Sequence, residues 1–180
     1  MLSRLEVVEP LAAVLGDAFQ EAAVPLWAAW PLPDGWVFTG LAWMGDGGPD
    51  SAAVCSWSGP DPFGDPAEML LVSEEAGAGL GSYFAGRHDA YPGGDVGDGP
   101  AHARFVVQDR PLPLWVVDGC AADRSVYAGE AAGRWLWIVL HPAEASAIMV
   151  EPLSLVDARQ LGAELAVLPL AEVSPRLVIV

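Results

Sequence analysis

A single α+β domain around a mostly antiparallel sheet is the fold this sequence predicts, and three observations predict it. Short apolar runs follow one another with Gly- and Pro-rich connections between them, too short for the crossovers that parallel neighbours need. Helical periodicity is confined to the two ends and one short central stretch. A chain of 180 residues that is 53% hydrophobic and 18% charged can bury one sizeable core, and no repeat or low-complexity boundary divides it. The whole chain, residues 1–180, is therefore read as one domain.

In chain order, residues 9–24 read as an N-terminal helix. Pro10 suits a first helical position, and Leu11, Val14, Leu15, Ala18, Phe19 and Ala22 recur at three- and four-residue spacing. Pro25 ends that pattern and opens "PLWAAWPLPDGWVFTG", which holds Trp27, Trp30 and Trp36. Its "PDG" at Pro33, Asp34 and Gly35 is turn chemistry: Pro fixes φ, Asp caps, and Gly accepts the left-handed position. Residues 36–44 follow as a strand with both alternate faces apolar, which predicts burial on both sides. Residues 51–58 read as its hairpin partner and residues 67–75 as a third strand. A short helix is expected near residues 80–85, and "YPGGDVGDGP" after it is a turn-rich loop. Four more strands are read in "AHARFVVQ", "LPLWVVDG", "RSVYAGEA" and "RWLWIVLH". "SAIMVEP" fits a strand or a helical turn, and residues 154–168 an amphipathic closing helix.

Composition excludes several function classes. All eight basic residues are Arg, and Lys and Asn are absent, as a high-GC genome would favour. Without Lys there is no lysine-bearing phosphate loop, no Schiff-base chemistry and no pyridoxal phosphate anchored in the usual way. The formal charge of −16 repels nucleic acid, and no basic patch offsets it. No apolar run reaches membrane-spanning length, and the N-terminus lacks the apolar core of a signal peptide, so a cytoplasmic protein is expected. Cys55 and Cys120 are isolated and read as small buried hydrophobes rather than a disulfide or a zinc pair.

"PLWAAWPLPDGWVFTG", "LLVSEEAGAGLGSYFAG", "RPLPLW", "YAGEAAGRWLWIVLHP" and the late "PRL" resemble an uncharacterised actinobacterial family of unknown function. The resemblance covers residues 24–177. It implies that a short cysteine-rich, zinc-ribbon-like segment precedes the domain in many members. This sequence begins without one, as a truncated relative or a processed chain would. Some members carry the label phosphotransacetylase, which no motif in this chain supports, and the loop from His88 to His102 departs from the family pattern.

Five candidate sites stand beside blander alternatives. Trp27, Trp30, Pro33 and Trp36, spaced by three, would share one face of a polyproline-like segment and form a stacking groove. Packing onto the sheet beside Trp43, Trp135 and Trp137 explains the same aromatics more economically. "GAGLGS", with Gly79 and Gly81, resembles a nucleotide loop. A Ser replaces its third glycine, however, and Glu74 and Glu75 would repel a phosphate. His88, Asp89, Asp95, Asp98 and His102 gather metal-ligand chemistry at no established spacing, so neither a metal nor a cofactor is expected. Cys120 could act as a nucleophile with His88, His102 or His141 as base, though no nucleophile elbow is present. Glu130 would be a buried acid or, more simply, the ion-pair partner of Arg134.

The preferred reading is a non-catalytic domain that binds a protein or small-molecule partner through Trp27, Trp30, Trp36 and the nearby Gly79 and Gly81. The rival is a small acyltransferase- or hydrolase-type enzyme using Cys120 or Glu130 with a histidine, His102 being the histidine among the candidate catalytic residues.

Overall fold

The computed structural model describes residues 6–8, 17 and 19–177. Ten strands form one sheet in the order β1-β3-β4-β5-β9-β8-β7-β6-β10-β2. They are β1 Glu6–Val8, β2 Trp27–Ala29, β3 Val37–Met44, β4 Ala52–Pro60, β5 Pro66–Glu74, β6 Ala103–Val107, β7 Arg110–Val116, β8 Ser125–Ala131, β9 Arg134–His141 and β10 Ser154–Asp157. The helix α1 is Leu80–Ala85. No helix among the described residues is long and apolar enough to cross a membrane.

Every strand pair is antiparallel except β6 with β10. Those two strands are separated by β7, β8, β9 and a 3₁₀ helix at Ala143–Val150, which together supply the crossover a parallel pair requires. The sheet curls back on itself, so that its last strand, β2, packs across β4 and β5. Trp57 Nε1 donates to the Trp27 carbonyl at 3.3 Å across this contact.

The strands β3, β4, β5 and β9 are apolar on both faces, and both faces are covered. One face carries Leu41, Cys55, Trp57, Met69, Leu71 and Ile138 beneath β2, β6, β10 and the 3₁₀ segment. The other carries Ala42, Val54, Leu70, Val72, Trp137 and Val139 beneath α1 and Leu177. A bulge between Phe38 and Gly40 changes the alternation expected for β3. It places Phe38 on the face of Leu41 and Trp43, where its ring meets Trp57 edge-on at 5.0 Å.

Two helix expectations need comment. The N-terminal helix at residues 9–24 lies largely outside the described residues, of which Asp17 and Phe19, Gln20 and Glu21 are helical. The closing helix expected at residues 154–168 is corrected: Ser154–Asp157 is strand β10, and Ala158–Gln160 and Gly162–Val167 are 3₁₀ turns. Here tertiary pairing with β2 and β6 outweighs local periodicity. Asp157 stops the strand by accepting from Arg159 N and holding the Arg159 guanidinium at 2.5 Å.

Trp137 is wholly buried in the centre of this arrangement. Trp137→Ala should lower unfolding free energy by about 3–5 kcal/mol in urea titrations. A loss below about 1 kcal/mol would contradict the central position assigned to β9.

Candidate functional site

The tryptophans of the Trp/Pro motif do not share one exposed face. Trp27 belongs to strand β2 and Trp36 precedes β3, with a tight turn between them, so the spacing of three does not align them on one face. They are only 4% and 5% exposed, and Trp30 is half-buried. Trp36 lies flat on β4, where a Cβ at Gly59 would stand 2.5 Å from its ring, and its Nε1 donates to the Pro60 carbonyl at 3.0 Å.

The glycine loop is equally committed to the fold. Glu74, at the end of β5, has no solvent exposure. Its carboxylate accepts from Trp137 Nε1 at 2.6 Å and from Gly81 N at 3.0 Å, with the Gly79 and Leu80 N–H groups directed at it as well. The donors that would cradle a phosphate therefore already hold the chain's own carboxylate. Gly81 is a glycine because its backbone presses on the Trp137 indole, leaving no room for a Cβ. Burial raises the Glu74 pKa, against the opposing pull of these donors.

The enzyme candidates do not converge. The Cys120 thiol donates to the Val117 carbonyl at 3.1 Å, and burial pushes its pKa up, which keeps it protonated. His102 is exposed, and its Nδ1 accepts from Val116 N at 3.1 Å. Glu130 is exposed rather than buried, and Arg134 pairs instead with Glu75 at 2.7 Å. In the acidic loop, Asp89 faces Arg87 at 3.8 Å. Among the described residues no group of three or more His, Cys, Asp and Glu stands where it could hold a metal ion.

A polar cluster missed in the sequence lies at the other end of β5. Glu68 accepts from Ser56 Oγ at 2.8 Å, from Ser174 Oγ, and from Arg176 Nε at 2.7 Å. Thr39 and Ser56 share a hydrogen bond of 2.7 Å beside it. The cluster fastens residues 169–177 to the sheet, where Phe38 N bonds the Pro169 carbonyl and Ser174 N the Thr39 carbonyl. His141, paired with Glu68 across the strands, is 3% exposed, and no hydrogen-bond partner meets its buried Nδ1 among the described residues. Burial, reinforced by Arg176 and Arg124, lowers its pKa to about 4. The signal for this cluster was present as Ser56 and Glu68, polar residues within otherwise apolar strand runs.

Several clefts are open to solvent, among them one of about 400 Å³ that Gly79 helps to line and one of about 330 Å³ that Trp27 helps to line. A third, of about 260 Å³, lies beside the Trp36 seam and is the one that joins the Trp/Pro motif to an exposed aromatic loop. Three segments form it. The "PDG" turn supplies Pro33, Asp34 and Trp36, and it is closed by Trp36 N on the Pro33 carbonyl at 3.1 Å. The β4–β5 hairpin supplies Pro60, Asp61 and Pro62, while Ile148, Glu151 and Leu153 come from the end of the 3₁₀ segment. The hairpin loop is rigid because Asp61 Oδ1 accepts from Phe63 N at 2.8 Å and from Asp65 N at 2.9 Å, with Asp61 N returned to the Asp65 carbonyl. That loop presents Phe63 81% exposed, and Val150 beside Glu151 is 82% exposed. No basic residue lines the cleft, and among the described residues none of Asp34, Asp61 and Glu151 is in an ion pair.

A family model described as a family of unknown function (DUF6758) matches residues 3–177, and the chain belongs to that family. No curated protein and no solved structure gives a significant match.

Two buried groups contribute to the pH dependence of stability with opposite signs. His141 titrates near 4 folded and near 6.5 unfolded, so its contribution is complete above 6.5 and is lost as pH falls toward 4. That loss should approach about 3 kcal/mol, and His141→Asn should flatten it in denaturation curves taken across this range. Glu74 has the opposite sign. Its raised pKa makes its contribution complete below the ordinary glutamate range, and the contribution declines as pH rises through the folded value. The stability difference between wild type and Glu74→Gln should therefore shrink as pH rises; a difference that grows would show the carboxylate to be stabilised as an anion.

Proposed function

We propose that this member of a family of unknown function is a non-catalytic docking domain whose partner protein seats on the cleft between the "PDG" turn and the β4–β5 hairpin. The observation that carries the proposal is Phe63, a large apolar side chain 81% exposed on a loop that hydrogen bonds hold in shape. An apolar ring kept in water on a preorganised backbone costs solubility and gains affinity when a partner covers it. Val150, on the flank next to Glu151, extends the apolar surface beyond the cleft, which favours a macromolecule over a metabolite.

This revises the expected surface. Trp36 stays at the wall of the cleft, Trp30 is half-buried, and Trp27, Gly79 and Gly81 serve the core. The enzyme alternative has less support, because Cys120 is held as a thiol and Glu130 has no described histidine beside it. A cytoplasmic actinobacterial protein that avoids nucleic acid and membranes is the setting we propose, supported by its charge of −16 and its Lys-free, Arg-only composition.

A photocrosslinking residue placed at position 63 in cells should give a discrete adduct. The same residue at position 167 should give none, since Val167 is 79% exposed but belongs to the 3₁₀ turn Gly162–Val167, which is not one of the three segments that form the cleft. Equal adducts at both positions, or none at 63, would overturn the proposal.

A further inference from the structure

We infer that the occupant of this cleft is a cationic segment of the partner, carrying arginine or lysine beside one large apolar side chain; the inference rests on the docking function proposed above. The chemistry of the lining carries it. Pro33, Pro60 and Pro62 have no N–H to offer, and the N–H groups of Trp36 and Asp61 are bonded within their own turns. The one side-chain donor in the lining, Trp36 Nε1, is spent on the Pro60 carbonyl. Asp34, Asp61 and Glu151, with Asp65 on the same hairpin loop, supply acceptors and negative charge. A wall with acceptors, apolar surface and no free side-chain donor suits a ligand that brings both N–H donors and an apolar body.

Other occupants fit less well. A second copy of this chain carries −16 of its own and would meet the acidic rim with repulsion. A proline-rich segment brings no positive charge to the acidic rim and, at each proline, no N–H for its acceptors. Anionic ligands find no cation among the lining residues. The apolar component is set by the cleft itself: its volume of about 260 Å³ admits one large side chain, between Ile148 and Leu153 on one side and Pro62 on the other.

The test uses the full chain and three short fluorescent peptides: one alternating Arg with Phe, its charge-reversed Glu/Phe counterpart, and an Arg/Ser version without the apolar anchor. Fluorescence anisotropy should show the Arg/Phe peptide binding most tightly, with affinity that falls as salt rises. The double variant Asp34→Asn/Glu151→Gln, which changes two exposed side chains without ion pairs, should weaken it roughly tenfold at low salt. Val167→Ser should bind like wild type. The same peptide should also suppress the position-63 adduct in lysate. Equal binding of the Glu/Phe peptide, an unchanged affinity in the double variant, or an adduct at position 63 that consists of two copies of this chain would each overturn the cationic occupant while leaving a docking surface in place. Absence of any adduct at position 63 would instead remove the docking function on which it rests.

Discussion

The constraint on which this structure depends is that β3, β4, β5 and β9 are buried on both faces. An antiparallel sheet ordinarily leaves one face to water, and these four strands are too apolar for that. Each face therefore needs a cover. The curled-back strands β6, β10 and β2 with the 3₁₀ segment supply one; α1 and residues 169–177 supply the other. A polar side chain on a covered face costs stability unless it finds partners in place. Glu74 and Glu68 meet that condition at opposite ends of β5, the first by collecting the N–H groups at the start of α1, the second by collecting hydroxyls and Arg176 from the returning tail. Both carboxylates thus act as fasteners for the elements that cover them.

The same demand for close packing accounts for the two glycines that meet tryptophan rings. Gly59 lets Trp36 lie on β4, and Gly81 lets α1 approach the Trp137 indole. In each case the glycine is required by a neighbouring aromatic rather than by a ligand. Residues that look like a phosphate loop or an aromatic groove in one dimension are, in three, the sealing surfaces of a core. Large rings give the most buried area per residue, and a backbone without a Cβ is the best surface against which to lay one.

The most exposed large apolar side chains, Phe63, Val150 and Val167, lie on connections or in 3₁₀ turns rather than on the strands. The β4–β5 hairpin is one such connection, and there the Asp61 side chain shapes the loop while leaving Phe63 in water. The acidic character of the chain is general, and at this cleft it coincides with apolar walls and with a tryptophan donor already spent.

By itself the sequence determined the strand-rich class, most strand positions from Val37 to His141, the helix at Leu80–Ala85, the "PDG" turn and the two-sided burial of the central strands. These follow from short-range rules: alternation, turn chemistry and the limits on a membrane span. Only the tertiary structure decided that Ser154–Asp157 is a strand, because its partners, β2 and β6, lie far away along the chain and outweigh the local helical pattern. Only it decided that Glu130 faces water while Glu74 and His141 do not. Alternation shows that two sets of side chains oppose each other, and what covers each set depends on elements distant in sequence. The cleft has the same origin: Pro33, Asp61 and Glu151 belong to three separate segments, and no spacing rule in one dimension relates residues that meet only because a curled sheet brings its connections to one edge.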